Sequence, residues 1–294
     1  MEKIKIVTDT PSDIPDADLE RYSIGMLSIP LTVDGVGYYE RTSFSVLEFY
    51  DMMEAASELP TTSRIPVTDY LACYQKYFAE GYTHLINVII NAGGSGTFAS
   101  AQMARELFYE QTPQAAGKME IHLVDSGTYS MAYGYPVIQA ARMAQEGRPV
   151  RQVLSYLRDY LNRVEIYVAC YTLEYARRSG RIGAAAAFVG DVLGLRPIIL
   201  MSGGQTKVVD KVRGDKNIPS RLLNAYRANC ADRSAPVVLV RGSLEEPARE
   251  LQSLIRSETG QSCTPYYAGA SIVINTGVRM LALTCIGKPR NQPS

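Results

Sequence analysis

A chain of 294 residues is longer than a single hydrophobic core usually supports, so two domains are expected. Apolar residues make up 46% of it, and 30 basic residues balance 30 acidic ones. That balance leaves no electrostatic case for a nucleic-acid or acidic-membrane partner. The opening Met1 to Val7 runs straight into a strand pattern and lacks the longer apolar stretch of a signal peptide. The longest apolar runs, such as Ala184 to Val189 and Ile198 to Met201, are far too short to span a bilayer. Five scattered cysteines (Cys73, Cys170, Cys230, Cys263, Cys285) have no metal-clip spacing and fit reduced thiols in a cytoplasm. With two histidines, a multi-histidine metal centre is not expected from this chain alone. His122, Asp125 and Ser126 lie along one strand end, and a catalytic triad needs members that converge in space.

Lys3 to Asp9 is expected to be a buried strand, since Ile4, Ile6 and Val7 are β-branched and Thr8-Asp9-Thr10-Pro11 ends it. Ile24 to Val33 is a second extended stretch, closed by Asp34-Gly35. Ser45 and Glu48 form a capping box that opens a helix, and Thr68 is expected to cap another that ends near Gly81. His84 to Asn91 is a strand, followed by a glycine-rich turn and a helix from about Thr97. Ile121 to Asp125 is the next strand, with helices to about Asn162. Further strands are expected at Glu165 to Tyr171, Pro197 to Met201, Val237 to Val240, Ala270 to Ile274 and Met280 to Cys285. A second capping box is expected at Ser243 to Glu246. Strands alternating with helices predict α/β architecture, divided near residue 163 into domains of residues 1–162 and 163–294.

Four segments carry chemistry. Asn91-Ala92-Gly93-Gly94-Ser95-Gly96-Thr97 joins a strand to a helix. Its glycines permit close backbone approach, and the helix start offers unpaired amides to an anion. A P-loop needs lysine after its last glycine, where this chain has Thr97, and the Gly-x-Gly-x-x-Gly spacing is missing. A plain strand-to-helix turn capped by Ser95 or Thr97 accounts for the segment equally well. Pro60-Thr61-Thr62-Ser63-Arg64-Ile65-Pro66 is a proline-stiffened loop with three hydroxyls, a pattern that also fits a solvated loop. Val124-Asp125-Ser126 and Asp9 place acids at strand ends, where ligands of open α/β sheets collect and where a carboxylate also fixes loops by accepting their amides. Leu173 to Gly183 is a short helix ending at Gly180. Arg177 and Arg178 complement its dipole, and Arg181 beyond it is placed to reach a carboxylate.

Taken in order, these segments resemble the DegV family: Thr8 to Pro15, Pro60-Thr61-Thr62-Ser63, Ser95-Gly96-Thr97, Val124-Asp125-Ser126, Leu173 to Gly183, and Leu195-Arg196-Pro197-Ile198. The resemblance implies two α/β domains with a long-chain fatty acid buried between them and no cofactor. It implies a non-catalytic binding protein that hands its ligand to a separate fatty acid kinase. The carboxylate would be held by Thr62, Ser63 and Ser95, with Gly96, Thr97 and Asn91 completing the turn; from the second domain, Arg181 or Asn275 is expected to assist. The chain departs from the family pattern in four places. Asn91 stands where serine is usual, Gly94 where leucine is, and Arg64 where glutamine is, while Asn275-Thr276-Gly277-Val278 replaces a His-x-Gly-Pro run. Two other readings remain: a hydrolase or transferase with Ser95 as nucleophile, which needs a base in reach, and a lipid-responsive regulatory protein.

Overall fold

The computed structural model describes residues 2–181 and 195–290. The apolar run Ala184 to Val189 and the motif residues Ile182 and Gly183 lie outside them. The chain opens with β1 (Ile4–Asp9), α1 (Asp16–Arg21), β2 (Gly25–Leu27), β3 (Pro30–Val33) and β4 (Val36–Tyr39). It continues through α2 (Val46–Ala55), β5 (Thr61–Thr62), α3 (Val67–Ala79), β6 (His84–Ile89), α4 (Thr97–Gln111), β7 (Glu120–Asp125), α5 (Met131–Gln145) and α6 (Val150–Arg163). Among the described residues, β2-β1-β6-β7 form a sheet in that order, with every pairing parallel. Parallel strands need crossovers and covered faces, which explains why β1 and β6 are buried along nearly their whole length. Their carboxyl ends, at Asp9, Ile89 and Asp125, emerge along one edge. A small antiparallel sheet, β4-β3-β5, stands beside it. Its β5 pairs Thr62 with Leu31 and so pins the threonine loop to the scaffold.

The later part of the chain builds a second sheet. Its elements are β8 (Val164–Cys170), α7 (Glu174–Ser179), β9 (Leu195–Ser202), β10 (Gln205–Arg213), α8 (Ile218–Asn229), β11 (Leu239–Arg241), α9 (Glu245–Thr259), β12 (Tyr266–Tyr267), α10 (Ala270–Thr276) and β13 (Met280–Ile286). The order is β10-β9-β8-β13-β11-β12, antiparallel except between β11 and β12. Alternation along the strands assigns the two faces. Ile166, Val168 and Cys170 of β8, with Met280, Ala282 and Ile286 of β13, join the core shared with the first sheet. Tyr167, Ala169 and Tyr171, with Leu281, Leu283 and Cys285, face the other way and pack with Leu222, Tyr226, Leu251 and Ile255 of α8 and α9. Each fully buried aliphatic side chain contributes roughly 1.5–3 kcal/mol, so both faces are firmly fixed.

Several local expectations change. Ala270 to Ile274 is helical within α10, not a strand. The segment is buried nearly all round, so its Ile272-Val273-Ile274 run shows no helical period, and Gly269 and Gly277 bound it instead. Thr68 lies inside the first turn of α3, whose N-cap is Pro66. Ser243 does not cap α9; its hydroxyl donates to the Val278 carbonyl at 3.3 Å. The Ser45–Glu48 capping box is present, with the Glu48 amide donating to Ser45 Oγ at 3.3 Å and the Ser45 amide to Glu48 Oε2 at 2.7 Å. Among the described residues no helix is long and apolar enough to cross a membrane.

Candidate ligand-binding site

The threonine loop and the glycine turn meet directly. The Ser63 amide donates to the Pro30 carbonyl at 2.8 Å, and the Ile65 amide donates to Thr97 Oγ1 at 3.4 Å. Within the turn, the Gly94 and Ser95 amides both donate to the Asn91 carbonyl, at 3.0 and 3.2 Å. Ser95 Oγ donates to Thr97 Oγ1 at 2.9 Å and accepts from the Thr97 amide at 3.3 Å. Gly96 is the N-cap of α4. A β-carbon there would lie 3.2 Å from Arg64 Cδ, so the arginine stem lies against the turn. Asp125 holds the neighbouring loop by accepting from the Ala92 and Gly127 amides, both at 3.0 Å. Asp9 does the same for the Ile90 amide at 3.1 Å and takes the Tyr133 hydroxyl at 2.7 Å.

A cavity of about 110 Å³ opens between these loops and the shared face of the second sheet. This cavity is the candidate ligand channel. Its polar lining includes Thr62, Ser63, Arg64, Ser95, Tyr129, Arg181, Ser271 and Asn275. Its apolar lining comes largely from the second sheet: Ile166 and Val168 at alternate positions of β8, Met201 opposite Ile166 on β9, with Val240 and Met280 beyond. Ile29, Ile90 and Ile272 complete it.

Six of the residues singled out by sequence line this cavity: Thr62, Ser63, Ser95, Gly96, Arg181 and Asn275. Asn91 and Thr97 do not. Asn91 is buried; its Nδ2 donates to the Tyr129 hydroxyl at 2.8 Å, and its Oδ1 accepts from the Gly93 amide at 3.1 Å. Thr97 ties Ser95 to the threonine loop. Both shape the turn from behind. The Asn275 amide donates to the Ser271 carbonyl at 2.7 Å. Tyr129, Ser130, Ser271 and Thr276 were not anticipated. Ser271 and Thr276 fall in or beside the run taken for a strand, and Tyr129 and Ser130 follow the Asp125-Ser126 strand end that did mark this region.

No aspartate or glutamate lines the cavity among the described residues, whereas two arginines do. Neither Arg64 nor Arg181 has a carboxylate partner among them. Burial pushes the Tyr129 phenol up, against the opposing effect of the Asn91 hydrogen bond, so it stays neutral. Ser95 Oγ has no imidazole, amine or carboxylate within hydrogen-bond reach among the described residues.

The two histidines converge on each other at the opposite end of the first sheet. His84 Nδ1 lies 3.3 Å from His122 Nε2, with Glu120 beside both.

A hydroxyl-bearing turn of a parallel sheet and the apolar face of an antiparallel sheet, sharing one channel, define a two-sheet α/β architecture. The chain belongs to the DegV family, whose model matches residues 3–288. A DegV domain-containing protein of Clostridium perfringens is 27% identical over 281 residues, 95% of this chain and 97% of that protein. The fold is also that of a stearic-acid-binding protein from Eubacterium ventriosum, with TM-score 0.86 and 23% identity over 98% of this chain and 99% of that one. DegV of Bacillus subtilis, described as a fatty acid binding protein, superposes with TM-score 0.83 and 24% identity over 98% of this chain and all of that one (100%).

Proposed function

We propose that the protein binds a long-chain fatty acid, with its carboxylate at the Thr62, Ser63 and Ser95 hydroxyls and its acyl chain along the second sheet. The observation that carries this is the channel itself. It joins hydroxyls and two arginines to an apolar strand face; among the described residues no acid lines it and neither arginine has a carboxylate partner. Each buried methylene contributes roughly 0.8 kcal/mol, and a carboxylate taken out of water must be hydrogen-bonded to avoid a large penalty. The stearic-acid-binding relative of the same fold supports the ligand class. In this reading residues 1–162 supply the head-group loops and residues 163–294 cover the chain.

The protein acts as a carrier in the cytoplasm and presents its ligand to a separate fatty acid kinase. The surroundings of Ser95 favour this over a serine nucleophile, because among the described residues the Oγ bonds only within its own turn. The test is mass spectrometry of an organic extract of the natively purified protein. About one fatty acid per chain is the expected result, and it also gives the chain length. An empty extract, together with failure to take up a panel of C14–C18 acids, overturns the assignment.

A further inference from the structure

Far from the channel, register rather than sequence proximity brings three ligand-type side chains together. β6 and β7 run parallel with His84 opposite Glu120 and Ile86 opposite His122. Side chains two apart on a strand share a face, so His84, Glu120 and His122 all project from one side of the sheet. They sit at the amino ends of their strands. The glycine turn leaves β6 from its other end, about 20 Å away at roughly 3.3 Å per residue.

We propose that His84 Nδ1, His122 Nε2 and a carboxylate oxygen of Glu120 bind one divalent transition-metal ion of the zinc class, at a site separate from the ligand channel. Two imidazole nitrogens at about 2.0–2.1 Å from a tetrahedral zinc lie about 3.3–3.4 Å apart, and the two here are 3.3 Å apart. Glu120 Oε2 lies 3.8 Å from His84 Nδ1 and 3.7 Å from His122 Nε2. Its side chain is 67% exposed and free to close the remaining gap, while the imidazoles are largely buried, 17% and 16% exposed. Two nitrogens and one oxygen are borderline donors. They suit zinc, cobalt, nickel or copper rather than calcium or magnesium, which demand oxygen ligands. Three protein ligands leave a fourth position for water, and His84 and Glu120 themselves border a cleft lined by Thr83, Tyr109 and Lys118.

The ring centroids lie 5.5 Å apart with the nitrogens 3.3 Å apart, so each nitrogen points nearly at the other. In the metal-free pair one imidazole donates its proton to the other. A metal ion replaces that proton after a modest turn of each ring about χ2, a soft torsion. Burial lowers the proton affinity of His122; the Glu120 charge opposes this, and His84 and Arg105 add to it. Neutral imidazole is the form that binds metal. Arg105 of α4 opposes a cation here, and Glu120 offsets it.

The chain has only two histidines, which makes the wild-type protein its own reporter. In metal-free protein titrated with zinc, both imidazole proton resonances should move together and stop at one equivalent. Cobalt should give the visible bands of a nitrogen–oxygen site, and zinc should raise the melting temperature. Glu120→Gln, an exposed change that spares the fold, should weaken zinc binding at least about tenfold, and His122→Ala should remove it. Stationary histidine resonances, movement of only one, or an intense near-ultraviolet thiolate band with cobalt would each overturn the proposal. So would unchanged uptake by Glu120→Gln.

Discussion

Asp13 Oδ1 accepts a hydrogen bond from the backbone amide of Gly269 at 2.9 Å, across 256 residues of chain. Its Oδ2 takes the Ser130 hydroxyl at 2.5 Å. Beside it, buried Glu40 accepts from the Ser271 amide at 2.8 Å, the Ser271 hydroxyl at 2.5 Å and the Thr10 hydroxyl at 2.6 Å. These two acids therefore fix the start of α10, which carries Ser271, Ile272 and Asn275 to the channel. Asp13→Ala leaves a buried amide and a buried hydroxyl unpaired, each at a cost of about 1–3 kcal/mol. Asp13→Asn keeps an acceptor for Gly269 and should lose less. Urea unfolding of the two variants measures the difference, and equal losses would mean that the Gly269 bond contributes nothing.

The buried acids also set a pH dependence. Burial, with the Glu40 charge adding to it, raises Asp9 to about 7 against the opposing Tyr133 and Ile90 hydrogen bonds. Asp13 is raised as well, again by burial first. An acid raised on folding holds its proton in the native state after the unfolded chain has lost it. Its contribution is fully present below about pH 4 and lost as pH rises through about 7. His122, lowered on folding, runs the other way below its ordinary value. Asp210, lowered by Arg221, acts only under more acidic conditions. Subtracting the urea midpoints of Asp9→Asn from wild type between pH 4.5 and 7.5 cancels both. The difference should shrink steadily with rising pH.

The parts legible in the sequence are those whose cause is local. Glycines and hydroxyls between an apolar strand and a helix mark the turn at Ser95, and prolines on both sides mark the loop at Thr62. Tertiary causes stay hidden. The His84–His122 contact depends on the register of β6 against β7, which no spacing in the chain records. Glu40 lies in a stretch with no motif, yet it holds Ser271 through partners 231 residues away. Ala270 to Ile274 reads as a strand because a helix buried nearly all round carries the composition of a buried strand.

At the head of the channel, Ser95→Ala removes a hydroxyl while leaving the turn amides in place. Retention of fatty acid should fall about tenfold, the weight of one hydrogen bond to a charged group, with the melting temperature within a degree or two. Thr62→Ala should behave similarly, and the double variant should lose more than either. Native mass spectrometry after dilution reads the retained fraction. Full retention by the double variant would count against this placement of the carboxylate.

Arg64 stands at the channel rim where the family pattern has glutamine. Exposed charge acts through solvent, and at 1 M salt the screening length is only about 3 Å. Arg64→Gln should therefore weaken fatty-acid binding a few-fold at low ionic strength, with the gap to wild type closing at 1 M salt. A gap that persists at high salt would assign Arg64 a direct contact instead.

Gly94 occupies the position where the DegV pattern carries leucine, and Tyr129 explains how the turn tolerates the change. A β-carbon on Gly94 would lie 2.4 Å from the Tyr129 hydroxyl and 3.2 Å from its ring. The tyrosine thus fills the space a leucine would need, while its hydroxyl accepts from Asn91 Nδ2 at 2.8 Å. The three residues form one packing unit, so the departures at Asn91 and Gly94 are a single change. Gly94→Leu alone should displace Tyr129, break its bond to Asn91 and cost about 1–3 kcal/mol by overpacking. Tyr129→Ala alone opens a gap beside the turn. Combined, the two should destabilise the protein by less than their sum, with a coupling of about 0.5–3 kcal/mol as expected for residues in contact. Strict additivity in a double-mutant cycle would mean that Tyr129 does not stand in for the missing leucine.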